Sequence, residues 1–161
     1  MAQRRTTQPL NYLRINKDGL LYKKSDEATY NESKALGQTH IHKSVSKDGK
    51  QTYYHDVFTG GTEEGYLEFL GIKDFEFEGK KVKQLVISVK GEEETDVINF
   101  PLYNTTGGLN LYVKHLACIL PNLDFSRKIN IVPSTKKNDR GYVIQNVFIN
   151  YVDDDTNSFV E

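Results

Sequence analysis

Tryptophan is absent from this chain, and cysteine and methionine occur once each. A lone thiol, Cys118, cannot close an intrachain disulfide or build a cysteine-based zinc site, so a reducing compartment is expected. Flanked by Leu116, Ile119 and Leu120, it is expected to be a small buried hydrophobe. No run approaches the roughly 18 apolar residues of a membrane span, and the arginines of MAQRRTTQPLNYL have no apolar stretch behind them. A cytoplasmic protein is expected. Gly60-Gly61 and Gly107-Gly108 lack the Lys-Ser/Thr pair that completes a phosphate loop, and the acidic runs Glu92-Glu94 and Asp153-Asp155 lack apolar framing for acid-base work. His40, His42 and His55 could only form an isolated exposed set. Neither an enzyme, a metal nor a cofactor is expected.

What is present suffices for one domain: 161 residues, 37% of them hydrophobic and concentrated after Gln51. The formal net charge of -1 conceals an uneven distribution. Residues 1–60 hold ten Lys/Arg against six Asp/Glu, 61–95 hold five against nine, and 96–152 hold six against three. The last nine residues carry four acidic groups and no basic one, so without that tail the body is net positive.

Residues 1–9 read as a flexible arm ending at proline. LNYLRI and GLLYKK flank Lys17-Asp18-Gly19 and predict a β-hairpin. The polar stretch 25–50 reads as an insertion or long loop with a strand at Thr39–Val45, and Asp48-Gly49 predicts a second hairpin into QTYYHDVFT. After Gly65 come three strands, near 66–77, 82–89 and 96–102. Leu109, Tyr112, Val113, Leu116, Ile119 and Leu120 then recur at helical spacing until Pro121. Lys128–Val132 predicts a fourth strand, Ser134–Gly141 a polar turn, and Tyr142–Tyr151 a fifth strand.

Five strands with a helix between the third and fourth is the element order of the OB barrel, whose strand face and loops bind oligonucleotides or oligosaccharides. The expectation is therefore a mainly β fold: one domain over 10–152, a five-stranded OB-like barrel with an N-terminal hairpin, then a disordered acidic tail over 153–161. The helix would plug the barrel.

Single-stranded nucleic acid requires cations for phosphates and exposed rings for base stacking. Three segments combine them: Lys50 with Tyr53 and Tyr54; Phe75 with Lys80, Lys81 and Lys83; and Lys136, Lys137 and Arg140 leading into Tyr142. In the tail, Asp153, Asp154 and Asp155 precede a polar spacer and Phe159, an acidic segment with an apolar anchor for a protein partner.

A barrel followed by an acidic, Phe-containing tip resembles bacterial and phage single-stranded DNA-binding proteins. GYLEFLGI, FEGKKVKQLVISV and ACILPNLDFSRKINIVP, within residues 52–152, are similar to the phage type. The likeness implies sequence-independent binding of single-stranded DNA in replication, recombination or repair. It also implies that the tail recruits replication or recombination proteins and competes with DNA for the groove. Phe159 is followed by Val160-Glu161, which departs from the bacterial form. A homo-oligomer is compatible with this reading. The alternatives from other classes are a protein-interaction or virion component using the barrel as scaffold, and a carbohydrate-binding face.

Overall fold

The computed structural model describes residues 8–16, 18–58 and 60–152. The tail residues Asp153, Asp154, Asp155 and Phe159 therefore lie outside the described residues, as does most of the expected arm. At the arm's inner end, Gln8 donates to the carbonyls of Gly91 and Glu92, and the Pro9 carbonyl accepts from the Thr95 amide. These bonds fasten residues 8 and 9 to the strand that follows Glu94.

The chain is mainly β. Its strands are β1 (Leu10–Ile15), β2 (Leu21–Ser25), β3 (Ile41–Val45), β4 (Thr52–Phe58), β5 (Tyr66–Phe77), β6 (Lys80–Lys90), β7 (Thr95–Pro101), β8 (Ile129–Lys137) and β9 (Val143–Tyr151). Two helices, α1 (Glu27–Ala35) and α2 (Leu111–Ile119), interrupt them, and a 3-10 turn spans Leu120–Asn122. Seven strands form one sheet in the order β3-β4-β2-β1-β7-β6-β5, while β8 and β9 form a separate hairpin.

The sheet is not closed into a barrel, so the expected five-stranded barrel is not what these ladders build. In the expected closure β7 would lie beside the last strand; instead its free edge pairs in parallel with β1, Tyr12 opposite Val97 and Leu13 opposite Ile98. LNYLRI can take that edge because its alternation sends Leu13 inward while Tyr12 and Arg14 stay outside. Beyond β5, an isolated bridge between Gly65 and Ile129 joins the sheet to β8, supported by the bond from the Thr62 amide to the Ile131 carbonyl.

The hairpins at Asp18-Gly19, Asp48-Gly49 and Glu78-Gly79 form where the turn residues predict. Glu78 and Gly79 both have positive φ, 50° and 76°, the conformation that lets a two-residue turn match the strand twist. The stretch 25–50 carries α1 as well as β3. With a mean side-chain character this polar, EATYNESKA offers no apolar stripe to reveal the helix. It forms because Asp26 caps it, accepting from the Thr29 amide at 2.7 Å, and that bond lowers the Asp26 carboxyl pKa. β8 runs on through Lys137 and β9 begins at Val143, so the expected polar turn moves to residues 138–142 and Tyr142 falls in it.

The core lies between the inner face of the large sheet, α2 and the β8–β9 hairpin. It contains Leu13, Leu85, Ile87, Val89, Ile98 and Phe100 from the sheet, Val113, Leu116 and Ile119 from α2, and Ile129, Ile131, Val147 and Ile149 from the hairpin. Burying one such aliphatic side chain contributes roughly 1.5–3 kcal/mol. α2 begins only at Leu111, because Asn110 caps it by accepting from the Tyr112 amide. Cys118 is exposed, contrary to expectation. Tyr112, Val113, Leu116 and Ile119 fill the inward stripe, and at 100° per residue Cys118 falls about 200° round from Leu116.

Candidate functional site

The outer face of the sheet carries a trough built by strand alternation. Cross-strand register sets Tyr12, Val97, Ser88 and Phe69 in one row, Asn99, Val86 and Gly71 in the next, then Pro101, Gln84 and Lys73, and finally Val82 beside Phe75. Arg14 follows Tyr12 by two on the same face of β1. Val86, Ser88 and Val97 are buried and make a floor; the rings rise above it as walls.

A β-bulge makes the β5 wall. Leu67 pairs with Val89 but Phe69 pairs with Ser88, so one extra residue, Glu68, is accommodated between them. Val89 points into the core and Ser88 into the trough. Without the bulge, Leu67 and Phe69 would share a face; with it, Leu67 packs on the core and Phe69 is aimed outward. The Phe69 ring then lies across Gly71, whose absent Cβ would sit 2.9 Å from the ring. Lys73 places its ammonium 4.6 Å from the same ring centroid.

Two clefts border the trough. The larger, about 620 Å³, lies at the β1–β2 turn end and is lined by Arg14, Tyr22, Phe75, Phe77, Gln84 and Asn99 of the outer face together with Phe100 and Tyr112 of the core, so it wraps round the end of the sheet. The other, about 490 Å³, includes Tyr12, Phe69, Lys73 and Phe75. Arg14, Phe75 and Asn99 line both, so the two make one continuous path. Tyr12, Phe69, Phe75 and Phe77 are 63%, 40%, 39% and 67% exposed. Their stacking area is available to a ligand. Glu76 lines the first cleft and Glu68 the second, so the trough is aromatic first and only moderately cationic.

The sequence-predicted residues distribute unequally around this trough. Phe75 stands in its wall, and Lys80 pairs with Phe77 on the same ribbon. Lys81 and Lys83 fall on the opposite face by alternation, opposite Glu76 and Asp74, with Lys83 Nζ 3.0 Å from the Asp74 carboxylate. Lys136 and Lys137 end β8, and Arg140 and Tyr142 follow in the turn, which Asn138 closes by accepting from both of their amides. This tip lies just beyond Thr135 and its partner Gln145, a residue of the larger cleft. Thr135 in turn meets the Tyr112 hydroxyl and packs closely under Gly19. Of the second predicted group Phe75 and Lys80 border the trough while Lys81 and Lys83 do not, and the third group lies beyond Gln145, the β9 residue that lines the larger cleft.

Lys50, Tyr53 and Tyr54 are elsewhere. They belong to the β3–β4 hairpin, where Tyr53 donates to Gln51 and Tyr54 packs on Tyr30 of α1 at 5.2 Å. A cleft of about 380 Å³ there is lined by Lys24, Ser25, Gln51, Thr52, Tyr53 and Tyr54. The histidines also separate: His40 Nδ1 lies 2.9 Å from Asp56, whereas His42 faces His55 across β3 and β4. Among the described residues no group of three or more His, Cys, Asp or Glu side chains could hold a metal.

Tyr12, Arg14, Phe69, Lys73, Gln84 and Asn99 did not emerge from sequence segments, because they come from four strands. The available signal was parity, with Tyr12 and Arg14 alternating in β1 and Lys73, Phe75 and Phe77 in β5. No helix among the described residues is long and apolar enough to cross a membrane. Comparison with protein-family profiles, curated proteins and solved structures finds no match.

Proposed function

We propose that this chain binds single-stranded DNA without sequence readout, serving replication, recombination or repair. The observation that carries the reading is the continuous trough with Tyr12, Phe69, Phe75 and Phe77 exposed along it and Arg14 and Lys73 beside them. Rings on which successive bases stack contribute roughly 1–3 kcal/mol each, whatever the base. Arg14, Lys73 and Lys80, with Lys136, Lys137 and Arg140 at the far tip, would take phosphates. The OB-like order of β5, β6, β7, α2, β8 and β9 supports the same reading, as does the acidic segment 153–161 as a recruiting tail for partner proteins.

Fluorescence anisotropy of labelled oligo-dT at two salt concentrations tests it. Micromolar affinity at low salt is expected, with log affinity falling against log salt by about 0.7 per phosphate contacted. Arg14→Ala and Lys73→Ala should each flatten that slope, while Lys83→Ala, whose charge is engaged by Asp74, should leave it nearly unchanged. Absence of any anisotropy change with micromolar protein at low salt would overturn the proposal. A protein-docking role draws support from Leu70 and Ile72, exposed on the inner side of β5. Pull-down of proteins independent of salt, without DNA binding, would favour it instead.

A further inference from the structure

β5 stands last in the seven-stranded order, and past the Gly65 bridge no strand among the described residues pairs with its outer edge. The phase of the ladder decides which backbone groups that edge leaves open. The two-residue turn at Glu78-Gly79 makes Phe77 and Lys80 a hydrogen-bonded pair, so Phe75, Lys73, Gly71 and Phe69 direct their N–H and C=O at β6. The Leu102 amide donates to the Lys83 carbonyl, which turns Lys83 toward β7 and gives the same phase from the other side of β6. Leu70, Ile72, Asp74 and Glu76 therefore point their amides and carbonyls away from the sheet. Proteins ordinarily blunt such an edge with charge, proline or shortness. β3, at the opposite end of the sheet, has only five residues and carries His42 and Lys43. β5 has twelve, and its central charges are engaged, Lys73 over the Phe69 ring and Asp74 with Lys83. Leu70 and Ile72 carry the rows of buried Ile87 and Leu85 out to this edge and are exposed there.

We infer that the β5 edge pairs with the β5 edge of a second copy of this chain, antiparallel about a two-fold axis at Gly71. The occupant follows from self-complementarity. In that register Leu70 meets the partner's Ile72 and Ile72 the partner's Leu70, in the positions whose N–H and C=O already face outward. The two Gly71 residues meet at the closer, non-hydrogen-bonded position, where a missing Cβ lets backbones approach. On the outer face the partner's Lys73 stands opposite Phe69, and Glu68 lies next to it, lining the same outer cleft. Each Lys73 thus finds a ring and a carboxylate, twice by symmetry. Shifting the axis to Ile72 would set Asp74 against Leu70, and shifting it to Lys73 would set two ammonium groups together. Because opposed residues share a face, the two troughs come to lie on one side of a continuous sheet. The grounds for the pairing are the edge alone, apart from the reading of the trough.

The test is analytical ultracentrifugation of the full chain without nucleic acid, at low salt and rising concentration. The paired stretch is short, so the mass should move from monomer to dimer in the micromolar range. Glu68→Lys and Lys73→Glu each bring like charges face to face across the axis and should weaken the dimer about tenfold, while the two exchanges together should restore it. Both side chains are exposed, so the fold does not depend on them. Hydrogen exchange supplies a second reading that needs no variant. The Leu70 and Ile72 amides should gain protection as concentration rises, and the Glu76 amide, beyond the paired stretch, should not. A monomer at every concentration overturns the pairing. So does a dimer that ignores both single charge reversals, or one that leaves the Leu70 and Ile72 amides open.

Discussion

Asp96 is 4% exposed, and its carboxyl accepts from the Glu63 amide at 2.6 Å and from the Asn11 side chain at 3.2 Å. Glu63 thus sits beside Asp96 and near Glu92, Glu93 and Glu94. Partial burial, then the neighbouring carboxylates with Asp96 foremost, push its pKa up. A raised carboxyl pKa in the folded state favours folding below the ordinary carboxylate range, and that contribution is lost as pH rises through the folded value. At neutral pH the ionised Glu63 therefore opposes folding. Glu63→Gln should raise the thermal midpoint at pH 7, with the gain fading toward pH 3, below the ordinary carboxylate range, where the native acid is protonated in both states. A gain that persists unchanged at pH 3 would show that repulsion is not its source. Nothing in the TEEG segment predicts this, since Asp96 lies 33 positions away. Cys118 shows the related difficulty in the opposite direction. Its apolar sequence neighbours suggested burial, but helix phase decides a single side chain's face, and the flanking leucines do not.

At the scale of elements, the strands were legible because period-2 alternation and Asp-Gly or Glu-Gly turns are local signals, whereas α1 was not, its stability resting on one cap and the helical backbone. The trough was legible only in part. Phe75 and Lys80 could be named from their segment, but the bulge at Glu68 that turns Phe69 outward depends on where β6 sets its register. The joint between sheet and hairpin depends on tertiary contact as well. Gly65 bridges Ile129, its amide donating to the Ile129 carbonyl and its own carbonyl accepting in return. A Cβ at Gly65 would lie 2.1 Å from the Lys90 carbonyl oxygen, a backbone atom that cannot step aside. Gly65→Ala should cost about 2–3 kcal/mol, read as a lower urea midpoint at unchanged slope. Gly79→Ala provides the contrast. Nothing lies within 4 Å of its Cβ position, so only the positive φ of 76° opposes it, at about 1 kcal/mol. Equal losses at the two sites would mean that the joint tolerates displacement.

The whole molecule divides its stability unevenly. The central core draws on β1, β6, β7, α2, β8 and β9 and on Leu21 at the start of β2, but on no buried side chain between residues 22 and 58. β2, β4, β3 and α1 attach to the rest through two register pairs of β1 and β2, Arg14 with Tyr22 and Ile15 with Leu21, after which β2 leaves β1 for β4, and through the half-buried Phe58 of β4 packed on the core. This outer module has one buried aliphatic of its own, Ile41. Its ladders are continuous but lie over little apolar area, and regions of that kind open at lower free energy than the core they adjoin. Native-state hydrogen exchange should therefore show β3 and β4 amides exchanging at least tenfold faster than those of β6 and β7. The trough walls Phe69, Lys73 and Phe75 stand on the slow side of that boundary, so ligand should protect β5 and β6 without slowing β3. If oligonucleotide instead protects β3 and β4 as strongly, the Lys50, Tyr53 and Tyr54 surface takes part in binding. The strand would then run from the trough across β1 and β2 onto the outer module, and the binding path would span both ends of the sheet.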